Sequence, residues 1–423
     1  MDYQISKKIQ LLIEKGVRIT NPSTVDIGEE VEIENISSDG VVIYGGCKIY
    51  GKKTLIMSKA KLGYKGPVTI ENCQIGPDVD LKGGFFCNSV FLQKANMAYG
   101  AQVRDACILE EEANGAHVVG LKHTILFPFV TLGSLVNFCD CLMAGGTSRR
   151  NHSEVGSSYI HFNYTPNQDK ATASLIGDVP RGVMLNQKPI FLGGQGGLVG
   201  PSQLGYGTVI AAGVIYRGDF PEGDGLLFDG GVKKSNLVFH PGLYLNIARR
   251  VLNSINYIAN LIALRHWYLN VRYPFFQENH MSRKLYEGAL EKLDVAIDER
   301  INRLKALAHK MPQSVKLYQN IIQGKDAQET IKQERELFDR WKGIEDTFYL
   351  FRKKIVETSE ANAFLEKIAK DRVEKGNDYI AVIQGLDQKW SVMGTKWLQG
   401  IVDEINKNVL EEIPSFKDVA DRL

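Results

Sequence analysis

The residues best suited to chemistry gather between positions 139 and 213. A lone imidazole, His152, follows Arg149, Arg150 and Asn151. An unperturbed histidine titrates at about 6.5 and so can take up or release a proton near neutrality, but a single histidine in a loop is often only a hydrogen-bonding residue. The two arginines carry the planar fork that suits phosphate or carboxylate, though exposed arginines are usually just solvated. Cys139 and Cys141 flank Asp140. Cysteines alternating on one face of a strand pack more often than they bind metal, and no spacing here matches a zinc motif, so no metal is expected. Two segments imitate phosphate loops. LMAGGTSRR at 142–150 has the glycines of a sugar nucleotidyltransferase loop, which also needs a strand before it, a helix after it and a lysine about ten residues on. Here it runs into His152. GGQGGLVG at 193–200 lacks the strand–helix–strand setting and the acidic partner of a dinucleotide fold.

The elements that hold these residues repeat with a period near six. Aliphatic residues recur at Ile43, Ile49, Leu55 and Leu62, again at Ile70, Ile75 and Leu81, and again at Leu198, Leu204 and Ile210. Glycine often follows, as at Leu62-Gly63, Ile75-Gly76, Leu132-Gly133 and Leu204-Gly205. A helix repeats at 3.6 and a strand at 2, so this period belongs to a solenoid of short strands and tight corners, a parallel β-helix built of hexapeptides. The aliphatic residue points inward and the small residue fits the corner. The period weakens at 35–42 and 83–125, which read as loops or insertions.

Glycine divides the chain in two, with 34 of its 41 residues before position 243. All 6 cysteines lie in the glycine-rich part and all 4 tryptophans in the rest, so two architectures are joined. The spacing assigns 1–19 to an N-terminal helix, 20–222 to the solenoid and 243–423 to an α-helical bundle or coiled coil. Leu290, Leu293, Ile297, Ile301 and Leu304 mark one helix over 283–310, closed by Pro312, and further helices fill 327–357, 360–375 and 379–412, with breaks near Gly324, Ser359 and Gly376-Asn377. A net charge of +2 gives no basic field for nucleic acid. No secretory signal is expected from Met1-Asp2-Tyr3-Gln4. The apolar stretch 251–276 contains Asn253, Asn256, Asn260, Arg265 and His266, which marks it as a buried or interfacial helix and no membrane span. Dispersed cysteines without paired spacing fit reduced thiols in a cytoplasmic protein.

Between 131 and 221 the residues resemble a known family. Asn151-His152, Phe162-Asn163-Tyr164, Asn167 to Lys170, Ile176-Gly177-Asp178, Phe191-Leu192-Gly193, Leu198 to Pro201 and Ile210 to Gly213 look like the hexapeptide-repeat acyltransferases. They are most similar to the left-handed β-helix acetyltransferase domain of the bifunctional enzymes that are UDP-N-acetylglucosamine pyrophosphorylase and glucosamine-1-phosphate acetyltransferase. The resemblance implies His152 as general base, taking a proton from a sugar amine as it attacks an acyl thioester. It implies Asn163 and Tyr164 at the sugar and acyl end; Asn151 beside the histidine is a further substrate-binding candidate, and Arg149 and Arg150 could supply the charge for a sugar phosphate. It places Lys170, Gly193, Gly194, Ala211 and Ala212 along acetyl-CoA or another acyl-CoA, and implies a homotrimer. Cys139 stands where the family carries a lysine for the sugar phosphate. A non-catalytic sugar-nucleotide-binding or scaffold protein is therefore the alternative, and a nucleotidyltransferase a remoter one, since its catalytic domain is not visible.

Overall fold

A computed structural model describes residues 5–228, 238–321, 325–354 and 358–420. The first half is a left-handed parallel β-helix with the section of a three-sided prism. Three parallel sheets of 11, 10 and 8 strands, here called faces A, B and C, enclose one core, and each coil visits A, then B, then C. On face A the inward residues Leu62, Leu81, Met97, Gly115 and Leu132 stack coil on coil. Face B stacks Ile49, Ile70, Phe86, Val103, Leu121 and Phe138 in the same way. Strands this short cannot stand alone, and each coil buries its inward side chains only against its neighbours.

The solenoid also runs through 83–125, contrary to the reading of loops or insertions there. Gly84–Cys87, Val90–Phe91, Asn96–Met97, Ala101–Arg104, Ile108–Leu109, Asn114–Gly115 and Gly120–Lys122 are all strands in register. Most corners between them turn through positive φ at non-glycine residues, Asn88, Lys94, Asp105, Glu112 and Val118, with Gly100 at one more, so few of them carry a glycine signal in the sequence. Even within 35–42 the chain keeps the coil, because Ile36 bridges to Ile56. The real insertions lie later, at 144–153, 163–173 and 177–190. Cys139 and Cys141 do not share a strand face: Cys139 ends a face B strand, Cys141 begins a face C strand, and Asp140 turns the corner at φ 60°.

The helices are α1 (Lys7–Lys15), α2 (Val179–Gly182), α3 (Ala248–Trp267), α4 (His280–Ala308), α5 (Met311–Ile321), α6 (Lys325–Asp339), α7 (Trp341–Lys353), α8 (Ser359–Lys375), α9 (Tyr379–Gln384) and α10 (Gln388–Glu412), with a short turn at Lys417–Ala420. The stretches read as single helices over 327–357 and 379–412 are each two. The second breaks at Gly385, after which Asp387 caps α10 by accepting from the Trp390 N–H. Pro312 opens α5, in whose first turn its missing N–H costs nothing. The expected break at Gly324 falls outside the described residues. Among those described, no helix is long and apolar enough to cross a membrane.

The two halves meet on face C. Gln74 lies against Gly288 of α4, and Gln203 bonds Asn253 of α3 at 2.8 Å, so both point outward. Their register-mates Leu55, Val90, Ile108, Ile125, Leu142 and Leu175 point the same way, and all are buried. At about 1.5–3 kcal/mol per buried aliphatic side chain, this stripe contributes on the order of 10 kcal/mol to holding α3 and α4 in place. A side chain at position 288 would strike the stem of Gln74, which explains the glycine in mid-helix.

A buried charge cluster fixes the orientation. After α3 the helix widens into a π-turn at Tyr268–Arg272, which brings both end residues to the solenoid. Arg272 is fully buried, pairs with Glu111, and lies 3.8 Å from Glu110. Its guanidinium also stacks 3.9 Å from the centre of the Tyr379 ring, while the Tyr268 hydroxyl donates to Glu110 at 2.6 Å. Removing one member leaves the others charged and unpaired. We expect Arg272→Met to lower stability to urea by about 3–5 kcal/mol. Adding Glu110→Gln and Glu111→Gln should restore part of that loss; a single substitution within about 0.5 kcal/mol of wild type would contradict the assignment.

Candidate active site

His152 stands on a two-stranded antiparallel hairpin, Gly146–Ser148 with Asn151–His152, inserted where face C passes to face A. Its Nδ1 lies 2.9 Å from the Arg149 carbonyl oxygen. A carbonyl only accepts, so Nδ1 carries the hydrogen and Nε2 presents the lone pair. Glu154 reaches to 3.5 Å from Nε2. Glu154 has no sequence signal of its own; only the coil register places it beside the histidine.

The remaining expected residues fall at the other two corners. Asn163 and Tyr164 begin the loop where face B passes to face C, and Lys170, in that same loop, lies 5.6 Å from the centre of the Tyr164 ring. Asn163 donates its amide to Asp140, whose other oxygen pairs with the buried Arg300 of α4 at 2.9 Å. Gly193, Gly194, Ala211 and Ala212 lie where face A passes to face B. A Cβ on Gly193 would come within 2.4 Å of the Ala212 nitrogen, so these coils touch backbone to backbone. One chain thus brings together Asn163, Tyr164 and Lys170, and separately the four small residues, but joins neither group to His152.

The arginines are differently employed. Arg149 donates to the carbonyls of Glu112 and Phe129 and to the Thr131 hydroxyl, at 3.1, 2.8 and 2.9 Å, and so clamps the hairpin to earlier coils. Arg150 is exposed at the hairpin tip, and Asn151 donates to the Thr147 hydroxyl at 2.9 Å. Gln384 of α9 donates to the Thr147 carbonyl at 2.6 Å, so the helical half also holds the hairpin. It holds the second corner through Asp169, fully buried at its side chain and 3.2 Å from Arg250 of α3. The glycine-rich 142–150 segment is a strand leading into a hairpin, with no helix after it. Among the described residues no cluster of histidine, cysteine or carboxylate is arranged to hold a metal.

A second histidine sits near the site and inside the prism. His161 continues the inward column of Phe138 and Leu198 on face B. Its Nδ1 donates to the Cys139 carbonyl at 2.7 Å, and its Nε2 takes the Ser174 hydroxyl at 2.7 Å. Burial disfavours the imidazolium and pushes its pKa down to about 4, against the partly offsetting pull of Asp140.

No protein-family model matches the chain. Among curated proteins it is similar to the bifunctional protein GlmU of Thermotoga maritima, 26% identical over 219 residues that make up 51% of this chain and 43% of that one. The GlmU of Lawsonia intracellularis is 28% identical over 215 residues, 51% of this chain and 42% of that protein. The GlmU of Thermoanaerobacter pseudethanolicus is 31% identical over 222 residues, 50% and 41% respectively. The matched stretch spans less than half the length of these relatives. Among solved structures, the polySia-specific acetyltransferase NeuO aligns over 48% of this chain and 75% of its own at 11% identity, with a TM-score of 0.13. The solenoid and its GlmU relatives fit a hexapeptide-repeat acyltransferase.

The His161 setting gives a pH dependence with a definite sign. Between an unfolded value near 6.5 and the folded value of about 4, the unfolded chain binds a proton that the folded chain does not. Stability contributed by the neutral imidazole is full above pH 6.5 and is lost as pH falls toward 4, by roughly 3 kcal/mol in all. Urea titrations at pH 7 and pH 4.5 should show a smaller acid loss in His161→Gln than in wild type, and equal losses would contradict this.

Proposed function

We propose that the protein is a cytoplasmic acyltransferase that moves an acyl group from acetyl-CoA or another acyl-CoA to an amine on a sugar or sugar nucleotide. The observation that carries this reading is the placement of the three motif groups at three corners of one prism. No single copy completes the site, so the working form is a homotrimer in which the His152 hairpin of one copy meets the small-residue corner of the next. The corner between faces A and B supports this. It lies opposite the helices, carries Gly193 and Ala211, and is flanked by exposed Phe191, Val209 and Leu226 on face A and by Ile160, Phe162 and Ile215 on face B. Closely stacked glycine and alanine there leave room for a slender pantetheine arm.

In the proposed reaction the acceptor amine attacks the thioester carbonyl, forming the C–N bond as the C–S bond breaks. His152 Nε2 takes the amine proton and returns it to the departing thiolate, while the Arg149 carbonyl holds the ring and Glu154 balances its charge. Asn163 and Tyr164 would contact the acceptor.

A second reading rests on specific residues. Arg149 is occupied by backbone carbonyls, and Cys139 takes the position of the family's phosphate-binding lysine, so a scaffold that binds a nucleotide sugar without turnover is the competitor. Acyl-CoA binding by calorimetry, followed by turnover of an amino-sugar panel, separates the two. For the enzyme we expect saturable acyl-CoA binding, and His152→Ala should lower kcat about 10²–10⁴-fold with binding retained. Binding of a nucleotide sugar with no acyl-CoA affinity would favour the scaffold. Light scattering at micromolar protein should give three times the chain mass of 47.2 kDa, and a monomer would overturn the shared site.

A further inference from the structure

The seam between the two halves contains a cavity that acyl transfer does not use. It has a volume of about 380 Å³ and lies along the edge where face C passes to face A, with the turn after α3, the start of α4 and the start of α9 forming its opposite wall. Its floor is aromatic, with Phe275, Phe276 and Tyr379 all nearly buried. Three carboxylates reach it: Glu111 from the solenoid, Glu278 before α4, and Asp378 at the start of α9. No lysine or arginine is among its described lining residues. This volume is within the range of small-ligand sites.

The carboxylates are only partly answered by the protein. Glu111 is 8% exposed; one of its oxygens meets Arg272, while the other is buried without a hydrogen-bond partner. An unpartnered buried carboxylate oxygen is costly, which is a reason for a ligand donor at this wall. Glu278 accepts from Asn377 at 3.1 Å, and Asp378 caps α9 by accepting from the Ala381 N–H at 3.0 Å. Each of these uses one oxygen and leaves a second. The three groups do not converge as metal ligands do. Separated negative charges around an apolar, aromatic floor suit a cation whose charges are also separated, joined by a stem that packs on rings.

We propose that this cavity binds an aliphatic diamine or polyamine, with its ammonium groups on the carboxylates and its methylenes over Phe276 and Tyr379. The stem gains from apolar contact, and each ammonium supplies N–H donors that a metal ion lacks. The site is independent of the acyl-transfer reading, because its residues belong to none of the three motif groups.

Calorimetry on the full chain at low salt tests this with putrescine and spermidine, against 1,4-butanediol as the uncharged counterpart of putrescine. The amines should bind saturably and the diol should not. Glu278→Gln with Asp378→Asn, both near the surface and the latter keeping a capping side chain, should weaken spermidine by about tenfold or more. Ser282→Trp, which fills the cavity from α4, should abolish binding while the melting temperature reports that the fold survives. Equal heats from diamine and diol would overturn the proposal. So would amine binding that persists in Ser282→Trp, which would mark a diffuse surface effect, or the absence of amine binding at millimolar concentration.

Discussion

The aliphatic exterior of face C is the constraint on which the rest of the structure depends. A prism of short coils needs an apolar inside, but nothing in the solenoid requires Leu55, Val90, Ile108, Ile125, Leu142 and Leu175 on the outside. Left in water, that stripe would be a long sticky surface. Covered by α3 and α4, it turns two architectures into one body, and Arg272 buried against Glu110 and Glu111 sets the register of the join.

From that single choice of face the placement of the candidate site residues follows. Both corners that bound face C carry inserted loops, and the helices grip both: Gln384 holds the hairpin bearing His152, while Arg250 and Arg300 hold the loop bearing Asn163 through Asp169 and Asp140. The third corner, between faces A and B, carries no helix among the described residues, and it holds the glycine and alanine stack and exposed aromatic and aliphatic residues. The helical half therefore braces the polar groups and keeps out of the way of the edge proposed to receive acyl-CoA.

The sequence disclosed whatever depends on periodicity and little of what depends on contact. The six-residue spacing and the glycine divide gave the solenoid and the helical half. The coils at 83–125 escaped because Asn88, Asp105 and Val118 turn corners without glycine, and because Phe86, Met97 and Gly115 take inward positions where the six-residue pattern looks for an aliphatic residue. His152 stood out by its neighbours in sequence. Glu154 as its partner, Arg149 as a clamp and Gln384 as a brace did not, since each role is set by a residue far away in the chain or by the stacking of coils. The distribution of the motifs over three corners was likewise invisible until each was assigned to the face it leaves.

The central claim is that the helices close face C and leave the corner between A and B as the working edge. Hydrogen–deuterium exchange on the full chain, with and without acyl-CoA, tests it most directly. The account predicts slow exchange of face C strands in both states, with new protection on acyl-CoA addition confined to the coils around Gly156, Gly193 and Ala211 and to the His152 hairpin. Protection that appears instead on α3, α4 or face C, or fast exchange of face C in the free protein, would contradict it.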